Sequence, residues 1–339
     1  MMKERAPRNR TLTVLEEEKS ELMRQTVHLT APCTVDAIGG KLIHGDSLSC
    51  LEFLPKQFID LLIVDPPYNL SKKFGENTFA GMDAGAYELW LENWIGKISG
   101  CVKKTGAIYV CCDWQSSKSV QTVLEKHFIV RSRITWEREK GRGAKANWKN
   151  CAEDIWFCTA SEDYYFNVDA VKLKRKVLAP YRDDAGDPKD WQETVEGNYR
   201  LTHPSNLWTD ISIPFWSMPE NTDHPTQKSE KLVAKMILAS SRPGDFVFDP
   251  FFGSGTTCVV AKKLKRTFSG IEREPEYCQM AVKRLQRAET NDAIQGYHDG
   301  AFWERNSLAD QNQVKTASNV AGSTGLCNAP RRQQRANSI

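Results

Sequence analysis

The chain has 339 residues, 40% of them hydrophobic and 26% charged, so it has room for roughly two domains at about 150 residues each. That composition excludes a wholly disordered chain, a collagen-like one and a disulfide mini-protein. The formal charge of +3, from 46 Lys and Arg against 43 Asp and Glu, is too small to indicate a nucleic-acid partner by itself.

Residues 1–35 are polar and charged and read as an extension; MMKERAPRNR leads into acidic sequence without an apolar core, so no secretory signal is expected. The ten Cys are scattered and form no C-x-x-C pair, so no metal site is read. No stretch approaches the roughly 20 apolar residues of a membrane span. Reduced thiols in a cytoplasmic protein are the expectation.

From Lys41 short apolar runs alternate with amphipathic stretches. KLIHGDSL, DLLIVDPPYNL, GAIYVCCD, VRSRITWE and EDIWFCTA read as strands. Tyr87–Ile98 and Ser116–Lys126 read as helices between them, with Trp90, Trp94 and Trp114 as core residues. Residues 160–222 lose the periodicity and read as a loop-rich insert. Order returns with a helix from Ser229, the strand DFVFDPF, a helix from Thr256, the strand TFSGIE and a helix from Pro275. After 290 the composition turns polar, and residues 291–339 are expected to be disordered. The alternation predicts an α/β fold: a doubly wound, mostly parallel sheet in two halves, 36–159 and 223–290, with ligands at the carboxyl ends of its strands.

Two strand ends carry chemistry. Asp249-Pro-Phe-Phe-Gly-Ser-Gly-Thr-Thr257 follows one strand and opens a helix, where glycines let the backbone approach a ligand. Seventeen residues past Gly255 the next strand ends in Glu272, the place where doubly wound folds grip a ribose. Cys258 stands where a dinucleotide fingerprint has its third Gly, which favours a nucleoside without a pyrophosphate. The second is Asp65-Pro66-Pro67-Tyr68-Asn69, directly after LLIV. It gathers a carboxylate, carbonyls and an aromatic ring around one small volume suited to a planar, amine-bearing ligand.

These motifs resemble those of the S-adenosylmethionine-dependent amino-methyltransferases of DNA. DPPYN at 65–69 precedes HPTQK at 224–228, DPFFGSGTT at 249–257 and GIE at 270–272, the permuted order of the β class. The resemblance covers about residues 41–290 and implies a Rossmann-like methyltransferase domain with a target-recognition insert. It implies catalytic roles for Asp65, Pro66, Pro67 and Tyr68. It implies cofactor contacts for Asp46, Asp65, Thr226, Lys228, Asp249, Phe251, Gly253, Ser254, Gly255 and Glu272, with Lys228 beside the methionine carboxylate. Ser229 stands where the family usually has Pro, and it can still cap a helix. Double-stranded DNA is the implied partner, with a homodimer and a cognate restriction endonuclease as further ones.

The implied reaction is direct methyl transfer to an exocyclic amine of a flipped base. Asp-Pro-Pro-Tyr goes more often with adenine N6, and cytosine N4 is the alternative; an inactive DNA-binding relative is a second one. Pro32-Cys33 precedes the first core strand and is set aside as a nucleophile, and His224 reads as structural. The Gly-containing stretch 70–86 is expected to be a flexible flap. Between Arg131 and Arg182 twelve Lys or Arg face seven Asp or Glu, so positive charge concentrates there. Arg142, Lys145, Lys149 and Arg182 are the candidate DNA contacts, and Asn147, Arg182, Gln192, Asn198 and Arg200 candidate base readers.

Overall fold

Along Ile59–Val64 successive side chains enter two separate cores. Leu61 and Ile63 pack on one face of a sheet, Leu62 and Val64 on the other. A strand apolar on both faces needs helices on both, which is why the alternating pattern folds as a three-layer sandwich. The computed structural model describes residues 6–75, 77–138, 145–177, 181–194, 197–305 and 307.

Among the described residues the main sheet has nine strands. They are β1 (Thr26–Val27), β2 (Lys41–His44), β3 (Ile59–Val64), β4 (Val102–Cys112), β5 (Ile129–Glu137), β6 (Ala152–Thr159), β7 (Leu207–Trp208), β8 (Phe246–Asp249) and β9 (Thr267–Glu272). Their spatial order is β1-β2-β9-β8-β3-β4-β6-β5-β7. All neighbours run parallel except β6, which is antiparallel to both β4 and β5.

Helices α2 (Ala84–Ser99) and α3 (Ser117–His127) cover one face. Helices α4 (Glu230–Ser240), α5 (Thr256–Lys263) and α6 (Pro275–Thr290) cover the other. Ser229 caps α4 by accepting the Leu232 N–H at 3.4 Å, so the family's usual Pro is replaced by a hydrogen-bonding start.

The chain ends depart from expectation. The N-terminal stretch is built into the domain: Leu12 and Leu22 are buried, and helix α1 (Lys19–Arg24) packs on α6. Its backbone donates from Leu12 to the Asn221 carbonyl at 2.8 Å. Residues 291–305 are likewise structured rather than disordered. Ala301–Trp303 is a buried strand that pairs with Leu173 and Lys174, and Lys174 lies 4.2 Å from the Trp303 ring. Few apolar residues sufficed there, because Phe302 and Trp303 bury completely. Trp94 is buried and Trp90 half-buried, whereas Trp114 is 61% exposed, in the turn before α3.

Within the expected insert 160–222, residues 201–222 belong to the main unit and place β7 on its sheet edge. Residues 175–200 form a compact unit of their own, in which Gln192–Thr194 pairs antiparallel with Gly197, Asn198 and Tyr199.

Candidate active site

Strands β2, β9, β8 and β3 lie side by side and parallel, so their carboxyl ends share one edge. The chain leaves those ends through Asp46, Glu272, Asp249 and Asp65, in that spatial order. Sheet register thus joins motifs far apart in sequence. A cavity of about 450 Å³ opens along this edge, lined by all four acids together with Pro66, Pro67, Tyr68, Phe251, Gly253 and Ser254. Thr226 and Lys228 line it too, while Gly255 is not among the lining residues.

On the β8–β9 side the carboxylates organise the loop. Asp249 accepts from the Phe251 N–H (2.9 Å) and the Thr257 hydroxyl (2.6 Å), and burial pushes its carboxyl up to about 7. Glu272 accepts from the N–H groups of Gly253 (3.0 Å), Arg273 (2.8 Å) and Glu274 (2.7 Å). Its burial likewise raises the carboxyl, to about 7. Phe251 stands edge-on to Trp94 with ring centroids 5.4 Å apart. Asp46 is exposed and caps the turn Ser47–Cys50, accepting from the Ser49 N–H at 3.1 Å.

On the β3 side four groups converge. Lys228 Nζ lies 2.7 Å from Asp65 Oδ1, 3.0 Å from the Tyr68 hydroxyl and 3.2 Å from Glu153 Oε2. The Tyr68 hydroxyl is 2.9 Å from Asp65 Oδ1 and 3.1 Å from Glu153 Oε2. Arg138 Nη1 holds the other Glu153 oxygen at 2.6 Å. The Tyr87 hydroxyl donates to the Pro67 carbonyl at 3.0 Å and fixes the turn. Burial and the adjacent carboxylates raise the Tyr68 phenol, which stays protonated. In this arrangement the Lys228 ammonium rests on the acidic cluster.

Glu153 has no place in the sequence motifs. Sequence reasoning looks for chemistry at strand carboxyl ends, and β6 runs backwards, so it is the start of β6 that reaches the same edge: Cys112 pairs with Asp154. The available signal was the pair Glu153-Asp154 opening the apolar run IWFC, since carboxylates at the start of a core strand require partners; Glu153 is 4% exposed in the fold.

The pattern of the DNA methylase family matches residues 59–283, more than half of the chain. DNA adenine methyltransferase YhdJ of Escherichia coli is 34% identical over 254 residues, 73% of this chain and 83% of that protein. Type II methyltransferase M.HpaI of Haemophilus parainfluenzae is 33% identical over 72% of this chain and 74% of its own length. The chain belongs to the DNA methylase family. Among solved structures, M1.HpyAVI complexed with S-adenosylmethionine is 25% identical, with a TM-score of 0.50, covering 72% of this chain and 98% of that one. PvuII DNA methyltransferase (cytosine-N4-specific) has a TM-score of 0.57 at 18% identity, covering 78% and 93%, and shares the fold.

S-adenosylmethionine is the cofactor expected of the methylase, and the cavity's groups suit it. Glu272 offers a carboxylate to ribose hydroxyls, Phe251 an aromatic face, and the acidic edge a complement to a sulfonium. The expected flap is a β-hairpin, Lys72–Phe74 with Asn77–Phe79, fastened to the cofactor side. Its Gly75 N–H donates to the Tyr277 hydroxyl at 3.1 Å, and Asn77 bonds Glu274 and Arg273. Lys145 and Lys149 are exposed and lie between β5 and β6 in sequence; Glu137 and Ala152 of those strands pair, next to the cavity-lining Arg138 and Glu153. Arg142 lies outside the described residues. Arg182, in the 175–200 unit, stacks over Trp191 at 5.0 Å and donates to the Gly186 carbonyl at 2.8 Å.

His224 packs edge-on to Tyr277 at 4.3 Å and accepts from the Thr226 N–H at 3.3 Å. Burial, reinforced by Lys228, Lys72 and Arg284, lowers its imidazole to about 3, so it is neutral in the fold. A depressed His stabilises the fold above its unfolded value near 6.5 and loses that contribution as pH falls below it. His224→Asn, which keeps an acceptor for Thr226, is therefore expected to flatten the acid limb of stability. From pH 7 to pH 5 the native methylase should lose about 2 kcal/mol more than the variant. An equal change in stability between pH 7 and pH 5 for the native protein and the variant would exclude a buried neutral His224.

Proposed function

We propose that this enzyme transfers a methyl group from S-adenosylmethionine to N6 of adenine in duplex DNA, after the base is flipped from the helix. The observation that carries the reading is one cavity shared by Asp65 and Tyr68 on the β3 side and by Asp249, Phe251, Gly253 and Glu272 on the β8–β9 side. The name of the adenine-specific relative at 34% identity supports the choice of base.

When bound, S-adenosylmethionine supplies an electrophilic methyl group. Glu272 is the ribose acceptor, Asp46 the adenine partner and Phe251 the stacking face; Thr226 serves the methionine end, whereas Lys228, held by Asp65 and Glu153, serves the reacting half. Asp249, Ser254 and Gly255 shape the loop. An exocyclic amine is a weak nucleophile, because its lone pair is delocalised into the ring. The Asp65 carboxylate and the Pro66 carbonyl accept its hydrogens and draw the nitrogen towards pyramidal geometry, while Tyr68 stacks on the ring. Positioning supplies most of the rate, and Asp65 stabilises the positive charge that grows on nitrogen. Lys145 and Lys149, and Arg142 with them, supply salt-dependent phosphate contacts, and residues 160–222 read the sequence. The type II names of two relatives support a partner endonuclease for the same site, with a homodimer and a cytoplasmic location as further parts of the reading.

Expression of the full chain in a host without DNA methylation, followed by long-read modification mapping and nucleoside mass spectrometry, tests this. N6-methyladenine at one short motif is expected. N4-methylcytosine alone would transfer the reading to the other exocyclic amine, which presents the same two hydrogens to Asp65. Unmodified DNA from cells holding folded protein would end it.

A further inference from the structure

We propose that Glu153 is a positioning residue, the acceptor onto which Lys228 and Tyr68 move when the target amine takes Asp65. The inference deepens the methyl-transfer reading and rests on it.

Asp65 Oδ1 is held by two donors, Lys228 Nζ at 2.7 Å and the Tyr68 hydroxyl at 2.9 Å. An entering amine bonds the same carboxylate, and Asp65 meets it with its full charge only as both donors shift away. Tyr68 has one hydroxyl proton, and Lys228 is buried to 11% side-chain exposure. A buried ammonium or hydroxyl left without an acceptor costs far more than a hydrogen bond exchanged for another. One second acceptor already lies within reach of both: Glu153 Oε2, at 3.2 Å from Nζ and 3.1 Å from the hydroxyl. The exchange shifts hydrogen bonds across a few tenths of an ångström, with no covalent step.

Arg138 makes the acceptor directional. Its guanidinium takes Oε1 at 2.6 Å and so turns Oε2 inward. The site's fixed charges are then matched: two carboxylates, Asp65 and Glu153, with two cations, Lys228 and Arg138. Asp65 alone would spend its charge on Lys228. With Glu153 present, that charge is released for the nitrogen that becomes cationic during transfer.

Glu153→Gln tests this. An amide would give its oxygen to Arg138 and present an NH2 to two donors, removing the second acceptor at nearly constant shape. In the full-length enzyme, acting on duplex DNA with the mapped motif, kcat is expected to fall about 50-fold. KM for S-adenosylmethionine and its calorimetric affinity should stay within about threefold. Glu153→Asp, which keeps the charge one methylene further back, should lose only about fivefold. It also carries the test if the amide variant folds poorly. In a Lys228→Met background the Glu153→Gln loss should shrink to about fivefold, because one of the two donors is gone. A Glu153→Gln kcat within twofold of the native value, or losses that simply multiply with Lys228→Met, would overturn the role. A native enzyme that methylates nothing would instead remove the reading beneath it.

Discussion

Asp65→Ala is expected to lower methyl transfer by about 10³-fold while cofactor affinity changes less than about fivefold. The two effects separate because the two halves of the cavity are built by different strands. Asp65 leaves β3, whereas the loop from Asp249 and the acceptor Glu272 leave β8 and β9 and are held by their own hydrogen bonds. The variant should also fold. Removing Asp65 does not strand Lys228, which keeps the Glu153 carboxylate at 3.2 Å. The loss is therefore one of chemistry: the amine has no carboxylate to accept its hydrogen or to balance the charge that grows on nitrogen. Calorimetry with S-adenosylmethionine and transfer of labelled methyl to mapped duplex DNA measure the two halves separately. Transfer within about tenfold of the native rate would remove Asp65 from the mechanism, and a lost cofactor affinity would place it on the other half of the site.

Gly255→Ala is expected to strike the cofactor half with equal force. Gly255 opens α5 at φ 78°, and a Cβ there would lie 2.5 Å from the Ala281 Cβ and 3.1 Å from its Cα. The left-handed backbone penalises any side chain, and the clash is with a neighbouring helix, so α5 and α6 must part. A loss of about 3 kcal/mol follows, or roughly 6 °C in Tm, with cofactor affinity at least about tenfold weaker. Gly244→Ala is the internal control. It has φ 89° but nothing within 4 Å of its Cβ position, so it carries backbone strain alone, about 1 kcal/mol. Equal melting losses for the two variants would mean that packing against Ala281 contributes nothing.

Much of this site was legible in the chain. The runs that became β2, β3, β4, β5, β6, β8 and β9 announced themselves by their Val, Ile and aromatic content and their bounding Gly, Asp and Pro, and β3 and β8 are apolar on both faces as buried parallel strands are. Asp46, Asp65, Asp249 and Glu272 were readable as strand-terminal acids, since a carboxylate ending such a run has nowhere to go but the sheet edge. The chain ends were misread for the opposite reason. Residues 1–35 and 291–305 are polar on average, and their few apolar side chains, Leu12, Leu22, Phe302 and Trp303, gain their burial from elements distant in the sequence. The 70–86 stretch looked flexible because its glycines are visible and its anchors, Glu274 and Tyr277, are not local.

The sequence by itself determined which residue types stand at the strand ends and in what order the two motifs occur, because those are local properties of composition and spacing. The tertiary structure alone decided that β8 lies beside β3, so that Asp249 and Asp65 share a cavity. It alone decided that β6 runs antiparallel and delivers Glu153 to the same edge, and that Lys228 rests on Asp65 and Glu153 together. Strand direction and neighbour choice are fixed by long-range packing, and no local pattern of residues encodes them.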